Sequence, residues 1–321
     1  MHCNIKIRPS AEPDEEGIRE LFRICFGKEL SHEEWLWKYK KLYPGSSSIV
    51  AEDSGKIIAH YGGFKMQFYS KGRIFSGYQG CDVMTHPGYR AKFFTKKGIT
   101  VKTAGAFYEA NPAEFIFGFP SERHGRLMTL QLGWEPYRFV SVLYKDINVF
   151  SDTKDNFFRF KSGWEFLKSK EMDRLWEDCK DLFNMTVYKE SRYILWRYKE
   201  NPSKKYEVLM MSEGLIRKRL KALVIFNINN KEMLILDFFV SKDVNELKVF
   251  LNLENIAAQK GLHKIRLWIN PVEKLYQGLK DAGYREEKGI PYSIKVFNRS
   301  DLPPDFFMNN YCYKPGDYDA A

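Results

Sequence analysis

The sequence predicts an α/β (α+β) protein of two tandem domains, each a mixed, mostly antiparallel sheet flanked by helices. Three observations support this fold class: the length, an internal repeat, and the order of helix and strand patterns within each half. A chain of 321 residues is long for one domain and sufficient for two. Hydrophobic residues make up 44% and aromatic residues 16%, which supplies the apolar surface that two buried cores need.

The elements of the first half follow from the spacing of its apolar residues. Ile18, Leu21, Phe22 and Cys25 have the i, i+3, i+4, i+7 spacing of an amphipathic helix, which we predict over Glu15–Phe26. Strand patterns and a second helical pattern follow in the order typical of a mixed sheet with helices on both faces. Strands are predicted over 48–52, 56–67, 73–85, 114–119 and 137–144, with a long helix over 90–111 and a short helix that ends at Leu132.

The second half of the chain repeats the first at a separation of roughly 150–160 residues. The recurring segments, all in the same order, include Trp37-Lys38-Tyr39-Lys40 and Trp196-Arg197-Tyr198-Lys199, Asp82-Val83-Met84-Thr85 and Asp237-Phe238-Phe239-Val240, and an apolar strand before Gly133-Trp134 and again before Gly283-Tyr284. We therefore predict one domain over 1–146, a linker over 147–170 and a second domain over 171–321.

Charge and cysteine content restrict the classes of function. The net charge of +10 favours acidic partners such as a phosphorylated cofactor, a nucleic acid or an anionic surface. The five cysteines are scattered and never form a C-x-x-C pair, so we predict neither disulfides nor a metal site, and a cytoplasmic location. No run of 18 apolar residues occurs and the start has no signal-peptide pattern, so we predict no membrane span.

The residues 82–92, which we call the signature turn, carry the strongest functional pattern. They read Asp-Val-Met-Thr-His-Pro-Gly-Tyr-Arg-Ala-Lys. Pro87 and Gly88 end a β-type run, because proline donates no backbone hydrogen bond and glycine accepts turn dihedrals. The helical pattern that follows begins beside Arg90, and a cation near the free N–H groups of a helix start favours phosphate binding.

The signature turn resembles that of the GNAT acyltransferases, the N-acetyltransferase superfamily. In that family the fourth strand ends in a phrase such as V-x-V/T-H-P-x-Y-R, followed by G-x-G, and residues 82–90 match it closely. The glycines of the family fall on Phe93 and Thr95 here. The fold of each half also has the GNAT order of elements, so the resemblance covers nearly the whole chain.

The resemblance implies an N-acyltransferase that uses acetyl-CoA, or another acyl-CoA, as co-substrate. It would transfer the acyl group directly to an amine acceptor, a small molecule or a peptide, in a ternary complex and without a metal. The strand would align the pantetheine and offer a backbone N–H to the thioester oxygen, and the turn would hold the phosphates through main-chain N–H groups. The cofactor-binding residues implied are Val83, Met84, Thr85, Tyr89, Arg90, Ala91, Lys92, Phe93, Phe94, Thr95 and Ser121.

Three residues are candidates for the chemistry. Asp82 could deprotonate the amine directly or through water, or be a hydrogen-bonded strand aspartate like its counterpart Asp237. Tyr78, on the same strand face, could line the acceptor site or pack in the core. His124 could act as an acid or base, or be a solvated loop residue.

Other positions depart from the family or admit two interpretations. The tyrosine that usually serves as general acid falls on Thr129, and Tyr108 or Tyr89 are possible substitutes. The aromatic cluster around Trp37 recurs in both halves, which favours a structural role over a recognition platform. Gly62-Gly63 within a strand predicts either a bulge or a place where another backbone segment approaches closely. Such a place could lie beside the acceptor.

The two halves differ where the cofactor phosphates would bind. The second half has Asp243, Asn245 and Glu246 in the place of the signature turn, and carboxylates at a helix start repel a phosphate. We therefore expect a degenerate second copy that shapes the acceptor site of the first. Two alternatives remain open: a Fem-type transferase that uses aminoacyl-tRNA, which the positive charge suits, and a non-catalytic binding or scaffold module that keeps only the fold.

Overall fold

The computed structural model describes residues 5–41, 45–92, 98–147, 159–213, 219–297 and 302–318. Within those residues the strands are β1 Ile5–Pro9, β2 Ser46–Asp53, β3 Lys56–Ser70, β4 Arg73–Thr85, β5 Phe115–Gly118, β6 Arg138–Asp146, β7 Arg159–Ser162, β8 Thr186–Val187, β9 Glu207–Glu213, β10 Arg219–Asn229, β11 Glu232–Val240, β12 Lys264–Trp268 and β13 Arg285–Val296. The α-helices are α1 Glu15–Phe26, α2 His32–Tyr39, α3 Ile99–Ala110, α4 Glu122–Leu132, α5 Ser169–Cys179, α6 Ser191–Ile194, α7 Glu246–Gln259, α8 Lys274–Asp281 and α9 Pro304–Asn310.

The chain divides into two compact units, and each unit is built from three separate segments of the sequence. The first unit consists of Met1–Phe68, Phe75–Arg138 and Pro291–Met308, and the second of Tyr69–Ile74, Phe139–Ile290 and Asn309–Ala321. The end of β13 is therefore grouped with the first unit, and nearly all of β6 with the second. The predicted ranges, 1–146 and 171–321, are continuous and contain no such exchange, and β7 lies within the predicted linker.

The first unit has a mixed sheet with the strand order β1-β2-β3-β4-β5-β13. Strand β2 pairs antiparallel with both β1 and β3, β5 pairs parallel with β4, and the end of β13 pairs antiparallel with β5. Helix α1 buries Ile18 and Leu21, two residues of its predicted apolar stripe, with Met84 of β4 in one hydrophobic cluster. A second cluster contains Tyr78, Phe107, Ile116, Met128 and Trp134 and joins β4, β5, α3 and α4.

The predicted start of the long helix is wrong. Residues from Pro87 to Lys92 form a 3₁₀ helix, and α3 begins at Ile99 with Gly98 as its N-cap. The backbone N–H of Tyr89 donates to the carbonyl of His86, which closes a tight i→i+3 turn at the end of the strand. The bounds of β4 and α1, by contrast, agree with the prediction at both ends.

The second unit repeats the sheet of the first. Its strand order is β7-β9-β10-β11-β12-β6, with antiparallel pairs throughout except for the parallel pair of β11 with β12. The parallel pair occupies the position that β4 and β5 occupy in the first unit. The predicted fold class, two tandem mixed sheets flanked by helices, is therefore confirmed.

Candidate active site

Strand β4 of the first unit runs past the end of its neighbour β5. The parallel ladder joins Gly77–Gln79 of β4 to Phe115–Phe117, and β5 ends at Gly118. Strand β4 continues through residues 81–85, which we call the open edge of β4, because β5 does not extend alongside them in the described chain. This part of the strand contains Asp82, Val83, Met84 and Thr85, four of the residues predicted for the site.

Asp82 is buried on the open edge in an unusual backbone conformation. Its φ is 46°, in the left-handed region that non-glycine residues rarely adopt. Lys38 Nζ lies 3.1 Å from its Oδ1, and the Tyr39 hydroxyl donates to Oδ2 at 2.8 Å. The Lys38 side chain is itself 5% exposed, so the ion pair is enclosed.

His60 of β3 completes this group and was missed by the sequence analysis. Its Nδ1 lies 2.7 Å from the Asp82 carbonyl oxygen, and because a carbonyl only accepts, Nδ1 carries the proton. Its Nε2 is buried and has no hydrogen-bond partner among the described residues. A lone histidine inside an apolar strand gives no local signal of this contact. We call Lys38, Tyr39, His60 and Asp82 the Asp82 cluster.

The charges of the Asp82 cluster are set by burial and by the ion pair. Burial raises the pKa of Asp82, but Lys38, His60 and the Tyr39 hydrogen bond together lower it below the usual 3.8. Burial lowers the pKa of His60 below 6.5. Near neutral pH the cluster therefore holds an ionised carboxylate, a lysine that pairs with it, and a neutral imidazole.

The surroundings of Gly62 explain why β3 has a glycine at this position. A Cβ at Gly62 would lie 2.4 Å from the Tyr39 hydroxyl oxygen and 3.1 Å from the Cys81 carbonyl oxygen. Gly63 pairs with Ser47 in an unbroken part of the ladder, whereas the register shift between β2 and β3 lies at Ala51/Glu52. The close approach, one of the two predicted explanations, accounts for Gly62, since the glycine leaves the space that Tyr39 fills.

The signature turn is held by side chains on both sides. Arg90 Nε donates to the Thr85 carbonyl oxygen at 2.7 Å, and the Tyr89 hydroxyl donates to Asp53 at 2.7 Å. The hydroxyls of Thr85 and Thr100 lie 2.7 Å apart and connect β4 to α3. Of the other predicted contacts, Ala91 and Lys92 lie in the 3₁₀ helix, and Phe93, Phe94 and Thr95 lie outside the described residues.

The starts of the corresponding helices differ between the units. Helix α3 has Gly98 at its N-cap, no side-chain cap and no acidic residue in its first turn. In α7 the Asn245 side chain accepts from the N–H of Leu247, and Glu246 occupies the first turn. An anion is therefore favoured at the start of α3, while a side chain already occupies the start of α7. Gly98 is a second residue that the sequence analysis missed, although glycine is among the residues preferred at helix N-caps.

The remaining predicted residues lie in or near α4 and the core. Tyr78 packs against Phe107 with ring centroids 5.4 Å apart, and burial raises its pKa. Ser121 caps α4 by accepting from the N–H of His124 at 3.3 Å. His124 is half-buried, and this burial lowers its pKa to about 4, so the ring is neutral at pH 7.

The positions weighed as general acids are engaged in hydrogen bonds. The Thr129 hydroxyl donates to the Glu135 carbonyl at 3.3 Å. The Tyr108 hydroxyl accepts from Trp134 Nε1 at 2.9 Å and lies 3.3 Å from that of Tyr61. Burial raises the pKa of Tyr108 to about 12, so this phenol stays protonated near neutral pH.

The second unit contains a structural counterpart of part of the Asp82 cluster. The Tyr198 hydroxyl donates to Asp237 at 2.9 Å, as Tyr39 donates to Asp82, and Lys189 pairs with Asp237 at 2.8 Å. Trp37 and its counterpart Trp196 are both buried, so neither presents a recognition surface. The repeated aromatic and tyrosine–aspartate contacts therefore belong to the fold of each unit.

Comparison with known proteins agrees with this geometry. The sequence profile of the acetyltransferase (GNAT) domain matches residues 6–137. Residues 6–137 therefore belong to the GNAT superfamily, as the signature turn predicts. None of the curated protein sequences compared with the chain matches it.

Solved structures show the same fold over more than 90% of the chain. A probable N-acyltransferase from Enterococcus faecalis V583 is similar with a TM-score of 0.71 and 12% identity, over 91% of this chain and 72% of that one. A tandem GNAT protein from the clavulanic acid biosynthesis pathway has a TM-score of 0.57 and 9% identity, over 91% and 98%. The N-myristoyltransferase of Saccharomyces cerevisiae with bound myristoyl-CoA has a TM-score of 0.56 and 9% identity, over 92% and 83%. At these identities the similarity establishes the fold.

Two further findings concern ions and membranes. Among the described residues, no three His, Cys, Asp or Glu side chains are grouped so that they could hold a metal ion. In the same part of the chain, every helix is too short or too polar to cross a membrane.

Proposed function

We propose that this protein is an acyl-CoA-dependent N-acyltransferase, in the simplest case an N-acetyltransferase, with its active site on the open edge of β4. The observation that carries the proposal is the combination, in the first unit, of an open strand edge, the signature turn and a helix start free of carboxylates. The second unit has the same strand pair but the helix start of α7 contains Asn245 and Glu246. We therefore propose one acyl-CoA site per chain, in the first unit, with the second unit as a degenerate copy.

The residues present fit a CoA thioester. The backbone of Val83 to Thr85 would align the pantetheine, and the N–H groups that follow Gly98 would hold the pyrophosphate. When bound, the thioester supplies the activated acyl group. In the proposed reaction the amine nitrogen bonds to the acyl carbon, the carbon–sulfur bond breaks, and CoA leaves as a thiol after it gains a proton.

Two predicted residues are candidates to accept the proton that the amine loses. Asp82 is ionised and would act directly or through water. Its ion pair with Lys38 helps to lower its pKa below the usual value, which makes the carboxylate a weaker base. His124 is neutral at pH 7 and has a pKa of about 4. Both residues stay candidates for the general base. Tyr108 is a candidate for the general acid that donates a proton to the thiolate.

Steady-state kinetics test the direct transfer. Initial rates of CoA release are measured with acetyl-CoA against a panel of a sugar amine, an amino acid, a polyamine and a short peptide. A ternary complex predicts double-reciprocal lines that intersect when both substrates are varied. Parallel lines would contradict direct transfer, because they indicate an acyl-enzyme intermediate.

A further inference from the structure

The second unit does not share the left-handed backbone that Asp82 has in the Asp82 cluster. Asp82 has φ of 46°, whereas Asp237 is not among the described residues with a positive φ. A non-glycine residue keeps such a conformation only when its surroundings hold it. Because the Tyr39 bond to the carboxylate has a counterpart in Tyr198, that bond belongs to the fold and does not account for the difference.

The contact that differs is the one on the backbone carbonyl. The N–H of His86 donates to the Ile58 carbonyl, and the N–H of Ser241 donates to that of Lys221, which aligns β3 with β10. The acceptors Ile58 and Lys221 therefore correspond, and two residues further along each strand His60 corresponds to Leu223. Leu223 is buried and its side chain has no group that could donate to a carbonyl, so the side-chain bond of His60 to the Asp82 carbonyl is specific to the first unit.

A histidine at this position is a poor choice for packing alone. Its side chain is buried at 1% exposure, and its Nε2 has no hydrogen-bond partner among the described residues. An unpaired buried acceptor destabilises a fold, whereas the leucine of the second unit carries no such group. The remaining polar contact of the ring is the Nδ1–H bond to Asp82, which is therefore the contact that favours histidine here.

That bond sets the direction of the next backbone N–H. The peptide between Asp82 and Val83 is planar and trans, so its carbonyl and its N–H point in opposite directions. The carbonyl points to His60 on β3, and the Val83 N–H therefore points away from β3. Strand β5 is the neighbour of β4 on that other side, and it has already ended at Gly118.

We propose that His60 is a positioning residue, which holds the Asp82–Val83 peptide so that the Val83 N–H faces the thioester oxygen of the bound acyl-CoA. This inference rests on the proposed function. As the amine adds, negative charge develops on that oxygen, and a donor already fixed in place stabilises it without reorganisation. His60 acts only through the peptide and does not contact the substrate.

The test compares two substitutions of His60 with the wild type. His60→Leu copies the second unit and removes the donor. His60→Asn keeps a donor, because Nδ2 of asparagine lies about as far from the backbone as Nδ1 of histidine. The probe is acetyl-CoA labelled with ¹³C at the carbonyl, whose infrared stretching band moves when the oxygen accepts a hydrogen bond. Slow hydrolysis of acetyl-CoA, followed as released thiol, measures the same oxyanion without an amine.

The inference predicts that His60→Leu binds acetyl-CoA with unchanged affinity and keeps the melting temperature. Its carbonyl band moves towards the position in free solution, and thiol release falls on the order of 10²-fold. His60→Asn keeps both the wild-type band and most of the rate. An unshifted band in His60→Leu, or equal losses in the two variants, would overturn the inference. A wild type that does not bind acetyl-CoA would overturn the proposed function as well, so the two failures are distinguishable.

Discussion

At the scale of single residues, the two units provide an internal comparison between fold and function. Tyr39 and Tyr198 each donate to a buried aspartate, at 2.8 Å and 2.9 Å. A contact present in both copies belongs to the fold, whereas one present in the first copy alone, such as His60 with the Asp82 carbonyl, is a candidate for function. This distinction gives each residue a matched partner for mutagenesis.

Replacing either tyrosine with phenylalanine should destabilise the protein by a similar amount. Each of Tyr39→Phe and Tyr198→Phe removes one of two donors to a buried carboxylate oxygen, the other being a lysine, which costs about 1–3 kcal/mol of unfolding free energy. Urea unfolding of the two variants beside the wild type measures both losses. A loss in Tyr198→Phe alone would contradict a structural role for the Tyr39 hydroxyl.

His124 gives a prediction for the pH dependence of stability. Its pKa in the folded protein is about 4, below the ordinary 6.5, because burial disfavours the charged ring. Below pH 6.5 the unfolded chain therefore binds a proton that the folded chain does not, so stability is lost as the pH falls from 6.5 towards 4. Buried His60 acts in the same direction.

The variant His124→Gln isolates the contribution of this residue. It should show a smaller loss of unfolding free energy between pH 7 and pH 5 than the wild type, measured by urea unfolding at both pH values. An identical loss in the two proteins would show that His124 is protonated equally well in the folded state.

At the scale of elements, the starts of α3 and α7 are the clearest difference between the units. Gly98→Asp adds a carboxylate to the N-cap of α3, where it should cap the helix and repel a phosphate. We expect this variant to keep or raise its melting temperature and to lose affinity for acetyl-CoA by at least tenfold. Asn245→Asp makes the matched change at the N-cap of α7.

Isothermal titration of both variants with acetyl-CoA measures these effects. Asn245→Asp should bind like the wild type, because the start of α7 is already occupied by side chains. Retained affinity in Gly98→Asp, or a loss in Asn245→Asp, would place the phosphates elsewhere.

The sequence predicted the elements whose signals are local. Helix α1 and strand β4 were predicted to the residue, because an apolar stripe marks the first and the Pro87-Gly88 break marks the end of the second. The start of α3 was misplaced, since a 3₁₀ turn and a helix share the same residue preferences near Arg90. His60 was missed because its contact with Asp82 joins two strands and leaves no trace in either pattern.

At the scale of the whole molecule, the repeat predicted the architecture, but not the exchange of strands between its units. The end of β13 pairs with β5, and β6 pairs with β12. These pairs join residues that are far apart in the sequence, so their register depends on packing and not on local composition. The strand patterns of β6 and β13 alone could not show to which unit's sheet each strand belongs.

In the proposed function, the first unit alone binds an acyl-CoA. The most direct test is isothermal titration of the purified wild-type protein with acetyl-CoA. We expect saturable binding at micromolar concentration or below, with one site per chain, because the start of α3 is open to an anion and that of α7 is not. Two sites per chain would contradict the degenerate second unit. An absence of binding at millimolar concentration would contradict the acyltransferase itself and leave a module that keeps only the fold.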